Sequence, residues 1–224
     1  MTADTPQHGL FLVLEGVEGA GKTTQAELLR HRFRVTEVAH TVSREPGGTR
    51  LGEGIRELLL ERGELDIPIE SELLLMLGAR AAFIQQVVRP ALERGEVVLS
   101  DRFELSTFAY QGFGRGIDLN EVRRLNRFST GGIRPDLTLI LDVPVGHGLA
   151  RQRGAGKEQD RFEGGGDVFL ERVREGYRTL SQEDERVLLL DGSLPSEVVH
   201  EEIVSLLAGR FPGRFPETFS DASG

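Results

Sequence analysis

At 224 residues, with 38% hydrophobic and 28% charged residues, the chain has the make-up of an ordinary globular protein with room for one large α/β domain. Its formal net charge of −9 argues against a nucleic-acid polymer as partner, and the lack of cysteine excludes a disulfide framework, a thiol nucleophile and a cysteine-based zinc site. No apolar run approaches the ~18 residues of a bilayer-spanning helix, and MTADTPQH lacks a basic-then-apolar leader, so a cytoplasmic protein with no membrane partner is expected.

Leu10 to Leu14 form an unbroken apolar run, as in a strand buried on both faces. The run leads into Gly16-Val17-Glu18-Gly19-Ala20-Gly21-Lys22-Thr23, a match to G-x-x-x-x-G-K-[ST], and then into a helical pattern over Gln25 to Phe33. In such a loop, glycines let successive backbone N–H groups point at a polyanion, at a helix N-terminus that favours one. Lys22 is placed to reach the β- and γ-phosphates of a bound polyphosphate and Thr23 to sit on Mg²⁺, with Thr24 next in the loop. Lys22 stands out because the chain uses arginine almost everywhere else, Lys157 apart.

Val35 to Val42 reads as a second strand, ending in Ser43-Arg44-Glu45-Pro46-Gly47-Gly48-Thr49, a sharp turn whose X-Pro bond is a candidate for cis. Arg44 lies at a strand's C-terminal end, where α/β folds place ligand contacts. Leu51 to Leu60 and Glu70 to Arg94 carry helical spacing; Met76 is one of the second helix's apolar positions, and Arg80 is a charge inside an apolar stretch that needs a partner or a ligand. Val97 to Ser100 is a short β-branched run that ends in Asp101-Arg102, a carboxylate for Mg²⁺ and a cation for a transferring phosphate.

Phe103 to Gln111 places Ser106, Tyr110 and Gln111 at helical spacing, and Gly112 to Gly116 reads as a loop before a helix over Leu119 to Phe128. Asp136 to Val143 is another buried strand, and Pro144 opens a short helix leading to Arg151, Arg153, Lys157 and Arg161. That segment, about 151–165, is basic, glycine-rich and apolar-poor, so it reads as mobile, either a solvated basic patch or a lid that closes over phosphates. A helix over Asp167 to Leu180, a strand over Arg186 to Leu190 and a helix over Pro195 to Leu207 follow, with a loose tail over Phe211 to Gly224. Alternating strands and helices give a single α/β domain over residues 1–224, its mainly parallel sheet flanked by helices on both faces.

A phosphate loop, a strand-tip Asp-Arg and a basic lid point to phosphoryl transfer. No histidine sits in these motifs to act as a base, and a phosphate-monoester acceptor needs none: with a second pKa of about 6 it is largely a dianion at neutral pH, held by cations.

The chain resembles the bacterial thymidylate kinase family from Leu10 to about Leu207. The matching pieces are LEGVEGAGKTTQ, SREPGGTRLGE, SDRFELSTFAYQG, PDLTLILDV and a lid ending DRFE. The resemblance implies a P-loop nucleoside-monophosphate-kinase fold, usually homodimeric, that moves the ATP γ-phosphate to dTMP with Mg²⁺. It implies that Arg44 and Arg102 hold the acceptor phosphate and that Asp101 works with Mg²⁺. Arg80, Ser106, Tyr110 and Gln111 look like thymine and sugar contacts, Glu18 faces the acceptor, and Pro46 resembles a proline after a cis peptide. Met76 stands where relatives carry a phenylalanine that stacks on thymine. Glu18 replaces a basic residue of some relatives, which implies that catalytic cations come from the lid as Arg151, Arg153 and Arg161. The alternatives are a kinase for another nucleoside monophosphate and a non-catalytic P-loop switch; the chain lacks the N-K-x-D motif of GTPase switches.

Overall fold

The computed structural model describes residues 8–60, 65–154 and 166–221. At its centre are five parallel strands: β1 Leu10–Glu15, β2 His40–Arg44, β3 Val97–Asp101, β4 Leu137–Asp142 and β5 Val187–Asp191. Their spatial order is β2-β3-β1-β4-β5. The chain leaves β1 toward one edge and returns to the other, so the order reverses at β1, where ligands of doubly wound sheets bind beyond the carboxyl ends of the strands. Arg44, Asp101 and Glu15 end the three strands on that side.

β1 is buried at every position because its two faces serve different cores. Leu10, Leu12 and Leu14 share a cluster with Leu29 and Phe33 of helix α1, Lys22–Val35, and with Ile203, Val204 and Leu207 of α9, Ser196–Arg210. Phe11 and Val13 face Phe83, Ile84, Val88, Ala91 and Phe103. The last group comes largely from one helical run, Ile69–Glu93: α3 Ile69–Phe83, a wide π-type turn Ile84–Val88, and α4 Arg89–Glu93. By length and mean hydropathy (1.2) this run could cross a bilayer, contrary to the expectation from apolar runs alone, but 50% of its apolar window is buried inside the protein. It is a core helix here.

Between these elements lie α2 Arg50–Leu60, α5 Glu104–Thr107, α6 Leu119–Thr130, α7 Val145–Gly154, α8 Gly166–Ser181 and α10 Thr218–Asp221. α5 opens into a π-helical segment, Phe108–Gly114, in which Arg115 N–H donates to the Tyr110 carbonyl (2.8 Å), one residue further back than in an α-helix. Gly112 to Gly114 are therefore helical, and the expected loop begins only after them.

Two further expectations need correction. β2 starts at His40, not Val35, because the buried Phe33 keeps α1 helical through Val35 and Glu37 (φ 57°) then turns the chain. Residues 211–221 are not loose: Phe219 is fully buried, stacked on Phe33 (5.9 Å) and Phe215 (4.4 Å), and Arg32 donates to its carbonyl (2.9 Å). The proline and glycine content of the tail hid an aromatic anchor for the helix that carries the phosphate loop.

Candidate active site

The loop after β1 is held open by glycines that accept no side chain. At Gly19 (φ +74°) a Cβ would lie 2.2 Å from the Gly148 carbonyl oxygen on α7. Lys22 opens α1; its buried Nζ donates to the carbonyls of Gly16 (3.1 Å) and Val17 (2.9 Å), leaving one donor. Burial, and to a smaller extent Arg102, lower its pKa.

The loop stands between two cavities. One, of about 560 Å³, is bounded by residues 18–25 of the loop, by Arg151 and by the β5–α9 connection. The other, of about 540 Å³, is bounded by Arg44, Pro46, Met76, Tyr110 and Gln111. Glu18, Lys22 and Thr23 belong to both. Two chambers meeting at a phosphate loop are what a two-nucleotide reaction requires, and none of the 5 histidines lines either chamber.

Arg102 lines the second chamber close to that junction. Its backbone takes a left-handed conformation (φ 74°), rare and strained for a side chain of this size, and typical of functional positions. Arg102 N–H on the Leu14 carbonyl (2.8 Å) and Ser100 Oγ on the Arg102 carbonyl (2.7 Å) impose it. The guanidinium donates to Glu18 (2.5 Å), Ser106 Oγ (3.1 Å) and the Gly16 carbonyl (3.2 Å), and lies over the Tyr110 ring. Glu18 thus has its cation in Arg102, within the described core.

Beneath these groups, Glu15 is fully buried at the end of β1. Its two oxygens accept four bonds, from the N–H groups of Phe103 (2.8 Å) and Ser106 (3.0 Å) and the hydroxyls of Ser106 (2.6 Å) and Tyr177 (2.9 Å). Burial raises its pKa while the Ser106 hydroxyl and Arg102 oppose the shift. Neither Glu15 nor Tyr177 was singled out by motif; the signal was an acid closing an otherwise apolar strand.

Arg80 is buried at the base of the second chamber, in a small recess shared with Met76, Arg102 and Ser106. It donates to Glu45 (2.7 Å), Thr107 (2.9 Å), Asn126 (2.8 Å) and the Phe103 carbonyl (2.9 Å), which leaves one N–H of Nη2. Gln111 donates through Nε2 to Glu72 (2.9 Å), and its buried Oε1 has no partner. Arg44 is more exposed, paired with Glu53 at 3.2 Å, and the Glu45–Pro46 bond is cis as expected.

Burial pushes the Glu45 carboxyl up from 4.5 to about 7, against the pull of Arg80. Between those values the folded chain keeps a proton that the unfolded chain has released. Raising the pH therefore favours unfolding, and the contribution is lost as pH rises through about 7, by about 1–3 kcal/mol. Urea unfolding on both sides of the window should show a smaller loss for Glu45→Gln than for the unchanged chain; equal losses would refute the assignment.

Thr23 Oγ1 donates to Asp101 Oδ2 (2.9 Å), so a hydroxyl and a carboxylate converge at the edge of the phosphate loop. Two oxygen ligands beside a site for phosphates fit Mg²⁺, which keeps water and takes phosphate oxygens for the rest. Arg151 donates to the carbonyls of Gly192 (2.8 Å) and Ser193 (3.2 Å) in the wall of the first chamber. Arg161, and the side chain of Arg153, lie outside the described residues.

A family model for thymidylate kinase matches residues 14–203. The thymidylate kinase of Pseudomonas entomophila is 50% identical over 202 residues, 90% of this chain and 96% of that relative. That of Desulforudis audaxviator is 51% identical over 178 residues, 79% of each chain. The crystal structure of thymidylate kinase from Ehrlichia chaffeensis superposes with a TM-score of 0.71 at 32% identity, over 89% of this chain and 99% of that one.

Proposed function

Because this chain belongs to the thymidylate kinase family and transfers phosphate from ATP to dTMP, we propose that its two chambers are the donor and acceptor halves of that reaction. The observation that carries the assignment is the sharing of Glu18, Lys22 and Thr23 by both cavities, which supports the phosphate loop as the point of transfer.

Residues 16–24 bind ATP, with Arg151 on the donor-nucleotide side. Thr23 and Asp101 would hold Mg²⁺, which would supply charge neutralisation at the transferring phosphate. A phosphate oxygen of dTMP attacks the γ-phosphorus as its bond to the bridging oxygen of ADP breaks. The dianionic acceptor has no proton to surrender, so the residues position and neutralise. Arg44 and Arg102 hold the acceptor phosphate, Lys22 and Arg102 meet the equatorial oxygens, and the family resemblance adds Arg153 and Arg161 to the cations of the transfer step.

In the acceptor chamber Met76 covers one base face, while Tyr110, Ser106, Pro46 and Glu18 confine the sugar and phosphate. The unpartnered Oε1 of Gln111 accepts from thymine N3–H, and the remaining N–H of Arg80 donates to O4. Both polarities suit thymine and oppose cytosine. The enzyme works in the cytoplasm as a homodimer; the cysteine-free composition and the exposed Leu51, Leu58 and Leu74 on α2 and α3 support this.

An ADP-release assay over dTMP, dUMP, UMP, CMP, GMP and AMP tests the reading. The largest kcat/KM is expected for dTMP, and equal or better turnover of another monophosphate would overturn it.

A further inference from the structure

We infer that Glu72 sets which end of the Gln111 amide meets the acceptor base, and so is a positioning residue for the choice of thymine over cytosine. The inference rests on the proposed role of Gln111.

Glu72 is fully buried in the first turn of α3, and Met76 and Arg80 follow it at intervals of one helical turn on the same face. That face supplies the base-covering side chain and the donor for O4. Glu72 itself does not line the acceptor chamber, but it meets the residue that does. Its Oε1 accepts from Gln111 Nε2 at 2.9 Å and from Arg115 Nε at 3.4 Å; its Oε2 accepts from Arg115 Nη2 at 3.3 Å. Arg115 is in turn stacked on the Phe169 ring, 4.9 Å from its centroid.

An ionised carboxylate only accepts, so it tolerates the NH₂ end of an amide and repels the oxygen end. Turning the Gln111 amide over would place oxygen against oxygen in a site closed to water. Glu72 therefore fixes the amide, with Oε1 left for the ligand. Thymine and uracil present N3–H there; cytosine presents a lone pair. Arg115 donates to both oxygens of the same carboxylate, so every contact Glu72 makes with Gln111 and Arg115 uses it as an acceptor.

A glutamine at this position has an NH₂ and an oxygen of its own and can accommodate Gln111 in either orientation. The reversed Gln111 would donate to cytosine N3. In Glu72→Gln the ratio of kcat/KM for dTMP to that for dCMP should fall about tenfold, the scale of one buried hydrogen bond, with dUMP following dTMP. Glu72→Asp, which still only accepts, should retain most of the ratio even if both rates drop. A merely structural role would lower dTMP and dCMP turnover together. An unchanged ratio in Glu72→Gln, with a reduced ratio in Gln111→Ala, would overturn the role of Glu72 and leave that of Gln111 standing. An unchanged ratio in Gln111→Ala would overturn both. In the double variant Glu72→Gln/Gln111→Ala the ratio should equal that of Gln111→Ala alone; a further fall would overturn the inference.

Discussion

Arg102→Ala should lower kcat about 10³-fold at saturating ATP and dTMP, the low end of the effect of removing an arginine from a phosphoryl-transfer transition state. The guanidinium reaches the Gly16 carbonyl of the phosphate loop and Ser106 of the acceptor side. A loose, metaphosphate-like transition state spreads charge over equatorial oxygens that pass through this region, so the loss falls on kcat as well as on acceptor binding. Removing the cation also takes from Glu18 the partner to which it is now bonded at 2.5 Å. Arg102→Lys should recover only part of the rate, because a point charge cannot bond Glu18, Ser106 and Gly16 through one planar fork. Loss of kcat by less than about threefold in Arg102→Ala would remove this residue from the transfer step and shift the burden to the lid.

The positive φ of Arg102 ties this chemistry to the fold. A left-handed arginine is costly by about 1–3 kcal/mol and persists only where its neighbours over-determine it. Here its own strand and the one beside it do so, since Leu14 of β1 accepts its N–H and Ser100 of β3 donates to its carbonyl. The same strand end holds Asp101 against Thr23, so the proposed metal ligand and the proposed catalytic cation are successive residues beside one phosphate loop.

What could be seen in the sequence was local. The phosphate loop, the Asp101-Arg102 strand tip and the five strands follow from apolar runs, glycines and turn residues close together in the chain. What could not be seen was distance-spanning. Glu15 and Tyr177 are 162 positions apart, and Glu72 and Gln111 are 39 apart, so no spacing rule links them. Arg80 read as a charge in need of a partner or a ligand; it has four partners in Glu45, Thr107, Asn126 and Phe103, and one N–H to spare. Glu18 stood out as an acid where some relatives carry a base, and its bond to Arg102, 84 positions away, is another contact that no local spacing reveals. Where the reading missed, at the start of β2 and in the tail, long-range packing of Phe33 overrode a β-branched run and a proline-rich one.

Glu15→Ala should destabilise the protein by about 3–5 kcal/mol and abolish most of its activity, the double loss expected of a buried charge on which several donors depend. Truncation strands two backbone N–H groups at the start of α5 and two hydroxyls, in a place that water does not reach. It also removes the carboxylate whose charge offsets Arg102. Glu15→Gln separates the two effects: its amide oxygen can keep the N–H groups of Phe103 and Ser106, but its NH₂ meets the hydroxyls of Ser106 and Tyr177, which must reverse. Ser106 Oγ could then no longer accept from Arg102 as readily, so the Arg102 guanidinium would drift while the fold largely held. Tyr177→Phe removes one donor and should be milder, about 1 kcal/mol, because Ser106 still bonds the same oxygen. Thermal unfolding beside kcat for the three variants checks the order. A Glu15→Gln protein as stable and as active as the unchanged chain would show that the charge beneath Arg102 is dispensable and that backbone geometry alone positions it.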